Sequence, residues 1–171
     1  FFKYEVDFDN LVIDENIAAL CVSRPTNPTG NMLTIKELQR LDVLAKASNI
    51  PLIIDCAYGL PFPGVVYGKF EQYFSENTIL IFSLAKLGLP GCRTGIIVGN
   101  SKIIDAFNNA NVAMNLATSS AGPAVMTEMI KDNKLLPLCK NKIMPKYKLK
   151  LDMTLKLINE IFVDLNYRIH V

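Results

Sequence analysis

Residues 79–98, ILIFSLAKLGLPGCRTGIIV, contain two short apolar runs separated by a loop rich in glycine and proline. The runs at 79–82 and 95–98 have the length and β-branched content of buried strands. The loop between them places Ser83 and Lys86 directly after the first run. This stretch therefore predicts two strands of a buried sheet, with polar side chains where the first strand ends.

The sequence before this stretch contains two more apolar runs of strand length. They lie at 18–22 and 52–54, and the first leads into the loop SRPTNPTG at 23–30. Two prolines and a glycine prevent regular structure in that loop and favour a tight turn. We therefore predict that a strand runs into a rigid loop here, and that a second strand ends at Asp55.

A helix is predicted between these two strands. Thr34 and Glu37 form a capping box, and the leucines that follow repeat at helical spacing until Asn49 and Pro51 stop the helix. Strands that alternate with helices are typical of a mostly parallel sheet. The predicted fold class is therefore α/β, with a three-layer α/β/α arrangement.

The second half of the chain is predicted to be mainly helical. One helix covers 101–115, and another runs from Ser119 or Ser120 to Lys131, with Pro123 in its first turn. A long amphipathic stretch covers 137–166, and 167–171 has the pattern of a strand that has only begun. A strand cut off at its start and an apolar beginning without Met lead us to expect a piece of a longer protein.

The charge of the chain gives no indication of a nucleic-acid partner. Eighteen basic and sixteen acidic residues leave a net charge of +2, which is too small to imply a polyanionic ligand. The lysines between 131 and 156 are spaced like the polar side of an amphipathic helix. We therefore expect no nucleic acid among the partners.

The cysteines, the single histidine and the hydropathy exclude other classes of protein. The four cysteines form no CxxC pair and the only histidine is His170, so we expect no metal site and no His-dependent triad. Cys21 lies in an apolar run, and buried free thiols in a reducing compartment, the cytoplasm, are expected. No apolar stretch approaches the roughly 20 residues of a membrane-spanning helix, so no membrane partner is expected.

Six residues near the predicted strand ends carry the chemistry of a candidate site: Asn27, Asp55, Tyr58, Ser83, Lys86 and Arg93. Each has an ordinary explanation when it stands alone, such as a surface lysine or a carboxylate that caps a turn. Together they offer what a phosphate-bearing aldehyde cofactor requires. Lys86 supplies an amine that can form an imine, and Asp55 supplies a carboxylate for a ring nitrogen.

The other four residues complete that set of groups. Tyr58 and Asn27 can donate to a phenolic oxygen, while Ser83 and Arg93 offer a hydroxyl donor and a forked cation for a phosphate. The glycines around Lys86 remove side-chain bulk, which suits a planar group that approaches the backbone closely.

The order and spacing of these residues resemble fold-type I aminotransferases that depend on pyridoxal 5′-phosphate (PLP). The segments SRPTNPTGN, DCAYGLPFPG and SLAKLGLPGCRTG look most like those of the bacterial valine–pyruvate subfamily. The resemblance implies that Lys86 binds PLP covalently and moves protons, and that Asp55 pairs with the pyridine nitrogen. It also implies that Asn27 and Tyr58 contact the phenolic oxygen and that Ser83 and Arg93 bind the phosphate. Arg24 is a minor candidate for a contact with substrate or a neighbouring subunit.

The resemblance also implies how the whole protein is organised. Residues 1–136 would be part of the large PLP-binding domain, and 137–171 the connecting helix and the start of a small domain. A homodimer is implied, with an amino acid and a 2-oxo acid as substrates. The family's glycine-rich phosphate turn, its ring-stacking aromatic residue and its arginine for the substrate carboxylate fall outside these 171 residues.

Three functions remain open from the sequence. The first is transamination between a small aliphatic amino acid and a 2-oxo acid. The second keeps the PLP site but changes the role, to a lyase, a decarboxylase or the aminotransferase-like half of a transcription regulator. The third is an inactive fragment, because a partial domain would expose unpaired strand edges.

Overall fold

The computed structural model describes residues 4–115 and 119–167. Its described residues form one four-stranded sheet in the order β1-β2-β3-β4. The strands are β1 (Leu20–Ser23), β2 (Leu52–Asp55), β3 (Thr78–Ser83) and β4 (Gly95–Val98). The first three strands are parallel and β4 is antiparallel to β3. The predicted α/β class with a mostly parallel sheet is confirmed.

The direction of β4 was not predicted, and it matters for the site. A strand that returns antiparallel to its neighbour begins at the edge where that neighbour ends. Ser83 at the end of β3 accordingly pairs with Gly95 at the start of β4. The loop that carries Lys86 and Arg93 therefore begins and ends at the same edge of the sheet.

Helix α1 (Ile35–Ala47) connects β1 to β2 as predicted. Thr34 accepts a hydrogen bond from the amide of Glu37, and the Glu37 carboxylate accepts one from the Thr34 amide, so the capping box is present. Leu38, Leu41 and Ala45 are buried and form the face of the helix that contacts the core. Burial of this apolar stripe fixes α1 against one face of the sheet.

One face of the sheet forms the core, and the other is more open. Leu52 and Ile54 of β2, together with Leu80 and Phe82 of β3, are buried in a cluster that includes residues of α1 and of later helices. Side chains alternate along a strand, so the intervening residues point to the opposite face. Cys21 of β1 pairs with Ile53 and therefore lies on this opposite face, where it is exposed. Its predicted burial is wrong because it lies on β1, an edge strand among the described residues, and faces away from α1.

The remaining helices lie where the sequence predicts them, except that one begins later and another ends earlier than predicted. They are α2 (Ser101–Asn115), α3 (Ala121–Lys131), α4 (Leu135–Leu138) and, after a π-helical turn at Cys139–Ile143, α5 (Met144–Ile161). Ser120 makes no capping bond with its side chain because its backbone is already helical. No helix in the described part of the chain is long and apolar enough to cross a membrane.

The long helix ends at Ile161, before the predicted end at 166. The chain turns there, and the Tyr167 ring packs edge-on against Phe162 at 6.0 Å between centroids. The Tyr167 hydroxyl donates to the Asn159 side chain at 2.8 Å. These contacts replace the helical turn that the apolar spacing predicted. Most of the strand expected at 167–171 lies outside the described residues.

A buried carboxylate connects α1 to the segment that precedes β3. Asp42 accepts hydrogen bonds from Lys46 and Tyr73, both at 2.8 Å, and from Asn77 at 3.3 Å. Burial raises the pKa of Asp42, but these hydrogen bonds outweigh that effect and lower the pKa of the carboxyl group overall. For Tyr73, burial and the bond to Asp42 raise the pKa to about 12.

The Asp42–Tyr73 hydrogen bond is expected to make stability fall at alkaline pH. The pKa of Tyr73 is raised from 10.0 to about 12 on folding, so its stabilisation is complete below pH 10 and is lost as the pH rises through the folded value. Urea unfolding measured below pH 10.0 and again near pH 12 should show that the free energy of unfolding falls by about 1–3 kcal/mol. Tyr73→Phe should lack this component. Equal alkaline losses in both proteins would contradict this role for Tyr73.

Candidate active site

The candidate site lies at the edge of the sheet where β1, β2 and β3 end. Ser23 pairs with Asp55 across β1 and β2, and Ser83 lies at the end of β3. The carboxyl edge of an α/β sheet is where ligands bind in this class of fold. The structure therefore brings Asp55 and the start of the lysine loop to the same edge.

Asp55 is held in place by two hydrogen bonds. Its carboxylate accepts one from the Ala57 amide at 2.9 Å and one from the Ser23 hydroxyl at 3.4 Å. The side chain is half-buried. No ion pair joins it to any residue within 4–115 or 119–167. Asp55 is thus an oriented carboxylate whose charge is not neutralised by a side chain of the described chain.

Lys86 and Tyr58 are neighbours although 28 positions separate them in sequence. The Lys86 amine nitrogen lies 4.8 Å from the centre of the Tyr58 ring, within the range of a cation–π contact. Lys86 lies in a short 3₁₀ helix, Ala85–Leu87, that ends at Gly88 with φ of 97°. Glycine adopts this conformation without strain, so Gly88 supports the turn that presents Lys86.

Asn27 and Tyr58 line the same cavity. It has a volume of about 270 Å³ and is otherwise formed by the SRPTNPTG loop and Val65. The loop is closed by hydrogen bonds from the Thr26 amide to Asn31 and from the Gly30 amide to Thr26. Within the described part of the chain, the side chains of Asn27 and Tyr58 form no hydrogen bond. Both therefore have polar groups available for a ligand.

Ser83 and Arg93 lie on either side of the lysine loop. The Ser83 hydroxyl accepts a hydrogen bond from the Ala85 amide at 3.3 Å. Arg93 is exposed, has φ of 45° and forms no ion pair with a described residue. The pairing of Ser83 with Gly95 brings the two ends of this loop together. The guanidinium of Arg93 is thus a free cation near the end of β3.

The space available for a side chain differs among the glycines of this loop and at Gly122. A β-carbon at Gly91 would meet nothing within 4 Å, whereas one at Gly95 would lie 2.9 Å from the Phe82 carbonyl oxygen. Gly95 is therefore required by strand packing rather than by a ligand. Gly122 at the start of α3 is equally constrained, because a β-carbon there would overlap the Thr94 side chain.

A larger cavity lies away from these polar groups. It has a volume of about 570 Å³ and lies between β3, β4, α3 and α4, with an almost entirely apolar lining. Neither Asp55 nor Lys86 lines it. Its lining offers no group for acid, base or covalent chemistry, so the sheet edge is the better candidate for an active site.

Ser23 was not among the predicted site residues, and the structure shows what Arg24 contacts within this chain. Ser23 donates to Asp55, and its position as the last residue of β1 was a usable signal. The Arg24 guanidinium is buried and donates to the carbonyl oxygens of Leu33 and Glu71. The cavity that Arg24 lines contains neither Asp55 nor Lys86.

The arrangement fits a cofactor with an aldehyde, a ring nitrogen and a phosphate. The described side chains include an amine and an oriented carboxylate. They also include free amide and phenol donors, and a free guanidinium. These are the groups that such a cofactor requires. No group of three or more His, Cys, Asp or Glu side chains in the described ranges could hold a metal ion.

Comparison with known proteins identifies the family. The model of the class I and II aminotransferases matches residues 3–155, and the chain belongs to this family, whose members in general depend on PLP. The chain is 48% identical, over 99% of its length, to the valine–pyruvate aminotransferase of Escherichia coli K12. It spans 40% of the length of that relative.

Solved structures show the same relationship. The valine–pyruvate aminotransferase of Salmonella typhimurium LT2 is 50% identical, with a TM-score of 0.85 over 92% of this chain and 41% of that one. A putative amino-acid aminotransferase of Psychrobacter arcticum 273-4 is 45% identical, with a TM-score of 0.85 over 96% and 39%. The chain therefore has part of the fold of these aminotransferases.

Proposed function

We propose that this chain forms the PLP-binding part of an aminotransferase that acts on a small aliphatic amino acid and a 2-oxo acid. The observation that carries the proposal is the sheet edge, where β2 ends in the oriented carboxylate of Asp55 and the Lys86 amine lies 4.8 Å from the Tyr58 ring. The similarity to two valine–pyruvate aminotransferases supports the choice of substrates. The comparisons do not favour a lyase or a transcription regulator.

Lys86 is proposed to hold the cofactor covalently and to move the substrate proton. When bound, PLP supplies an aldehyde and a ring that withdraws electrons from the substrate α-carbon. The Lys86 amine would form an imine with that aldehyde, with loss of water. After a substrate amine has displaced it, the freed Lys86 amine would move the proton from the substrate α-carbon to the carbon of the former aldehyde, two atoms away. Contact with the Tyr58 ring limits the positions that the amine can adopt.

Asp55 is proposed to pair with the pyridine nitrogen. A carboxylate at this point favours the protonated nitrogen, because an opposite charge in a half-buried site stabilises the cation. The Ala57 amide and the Ser23 hydroxyl fix the direction of the carboxylate before any ligand arrives. Such preorganisation lowers the energetic cost of binding the charged ring.

The remaining four residues are proposed to bind the polar substituents of the ring. Asn27 and Tyr58 would donate to the phenolic oxygen, which lowers the pKa of the lysine–cofactor imine. Ser83 and Arg93 would bind the phosphate, Arg93 as the free guanidinium and Ser83 through its hydroxyl. Ser83 is the last residue of β3, and the other three residues lie in the loops that follow β1, β2 and β3.

The organisation of the whole protein is also a proposal. Residues 1–136 are assigned to the large PLP-binding domain and 137–171 to the connecting helix and the start of a small domain. We propose a cytoplasmic homodimer. These assignments depend on the family resemblance and on the similarity to longer aminotransferases.

A transamination assay tests the proposed activity. The complete natural polypeptide that carries this sequence is mixed with PLP, L-valine and pyruvate, and L-alanine and 2-oxoisovalerate are measured together. Equal amounts of both products are expected, because the amino group is transferred and not released. Release of ammonia would indicate a lyase and contradict the proposal. PLP binding without any product would favour a regulator.

A further inference from the structure

Arg24 joins three segments that carry residues of the candidate site. Its Nε donates to the Leu33 carbonyl oxygen at 2.8 Å, and its Nη1 donates to that of Glu71 at 2.6 Å. Its own amide donates to the Asp55 carbonyl oxygen at 2.8 Å. Leu33 lies at the end of the segment that contains Asn27, and Glu71 follows Tyr58 in the segment between β2 and β3.

The guanidinium of Arg24 is a buried charge held mainly by backbone groups. The residue is 5% exposed, and no carboxylate of the described ranges forms an ion pair with it. Burial lowers the pKa of Arg24, yet arginine stays protonated in proteins. Charge-assisted bonds to carbonyl oxygens are stronger than neutral ones. Because both acceptors belong to the backbone, the two bonds fix the course of the chain and not only the side chains.

A further close approach connects Arg24 to the residue after Tyr58. A β-carbon at Gly59 would lie 2.5 Å from the Arg24 carbonyl oxygen. The backbone at Gly59 therefore packs directly against Arg24. The distance between the Asn27 loop and Tyr58 is thus set by Arg24 from two sides, by its side chain and by its main chain.

We infer that Arg24 is a positioning residue that holds Asn27 and Tyr58 at the spacing needed to donate together to the cofactor's phenolic oxygen. The inference depends on the proposed function, since it assigns Arg24 to the same site. It replaces the expectation that Arg24 contacts substrate or another subunit. A planar fork can reach both carbonyl groups at once, whereas a lysine ammonium at this position can satisfy only one well.

The test is the pKa of the lysine–cofactor imine, measured from its absorbance between about pH 5 and 10. The complete natural polypeptide is loaded with PLP and compared with Arg24→Lys and Arg24→Met. Loss of either donor to the phenolic oxygen should raise the imine pKa, by about one unit in Arg24→Met and by less in Arg24→Lys. The Kd for PLP should rise about tenfold in Arg24→Met. Arg40→Met, on the exposed side of α1, is the matched control and should change neither value.

The possible results separate the inference from the proposed function. An imine pKa that stays within about 0.2 unit in both Arg24 variants, even with reduced stability, would show a merely structural role and overturn the inference. If Arg24→Met does not fold, Arg24→Lys decides the question, because it keeps the charge and most of the bulk. Absence of imine absorbance in the unaltered protein would instead contradict the proposed function.

Discussion

Replacing Lys86 with alanine is expected to lower the rate of transamination by about 10²–10⁴-fold, the usual contribution of a positioned proton-transfer group. The variant should also fail to bind PLP covalently, because it lacks the only amine that the structure places beside Tyr58 in the described ranges. The fold should persist, since Lys86 is half-buried and makes no ion pair with a described residue. Steady-state kinetics with valine and pyruvate measure the effect.

The matched control for Lys86→Ala is Lys102→Ala. Lys102 is an exposed residue of α2, and its replacement should leave the rate unchanged. If the Lys86 variant kept a rate within about threefold of the unaltered protein, proton transfer by this lysine would be excluded. An equal loss in both variants would point to a general effect on folding or charge.

Asp55→Asn is expected to lower the rate of transamination by about 10²–10³-fold, comparable to the loss of one preorganised electrostatic contact in an active site. The substitution removes the charge but keeps the Oδ1 that accepts from the Ala57 amide, while the new amide nitrogen replaces Oδ2 and can donate to the Ser23 hydroxyl oxygen. The local backbone should therefore remain in place, and covalent labelling of Lys86 should persist. The loss should appear mainly in kcat, because the charge assists the carbanion more than it assists substrate binding.

Asp105→Asn provides the matched control for Asp55, since Asp105 is an exposed carboxylate on α2. Its rate should equal that of the unaltered protein. A kcat for Asp55→Asn close to normal would mean that another group controls the ring nitrogen. Loss of folded structure in that variant would mean that Asp55 acts chiefly through its hydrogen bonds.

Local signals in the sequence predicted most of the fold. The capping box of Thr34 and Glu37 fixed the start of α1, and the Asn49–Pro51 segment marked its end. The strand β4 has the predicted limits, because Gly95 and Gly99 bound a short β-branched run. Such signals depend on residues close in sequence, so they can be recognised without knowledge of the packing.

Features that depend on contacts through space were not predicted. The exposure of Cys21 follows from the face that an edge strand presents, and the end of α5 follows from the Phe162–Tyr167 contact. The role of Arg24 depends on carbonyl groups 9 and 47 positions away. Periodicity describes which residues share a face, but not which element lies opposite that face.

The sequence predicted which residues form the candidate site more fully than it predicted how their side chains are arranged. Asp55 and Lys86 follow strands that could be recognised from their apolar runs, so their place at one edge could be expected. The contact between Lys86 and the Tyr58 ring, and the Ser23 hydroxyl on Asp55, required the register of the sheet. The cofactor roles of the six residues remain proposals that the variants above test.

The central claim is that Lys86 forms the covalent bond to PLP, and borohydride reduction tests it most directly. PLP is added to the complete natural polypeptide, the imine is reduced, and peptide mass analysis locates the modified residue. A pyridoxyl group on Lys86, at one per chain and absent from Lys86→Ala, is the predicted result. A protein that remains unlabelled at Lys86, or that carries the specific label on another lysine, would contradict the assignment of this sheet edge as the cofactor site.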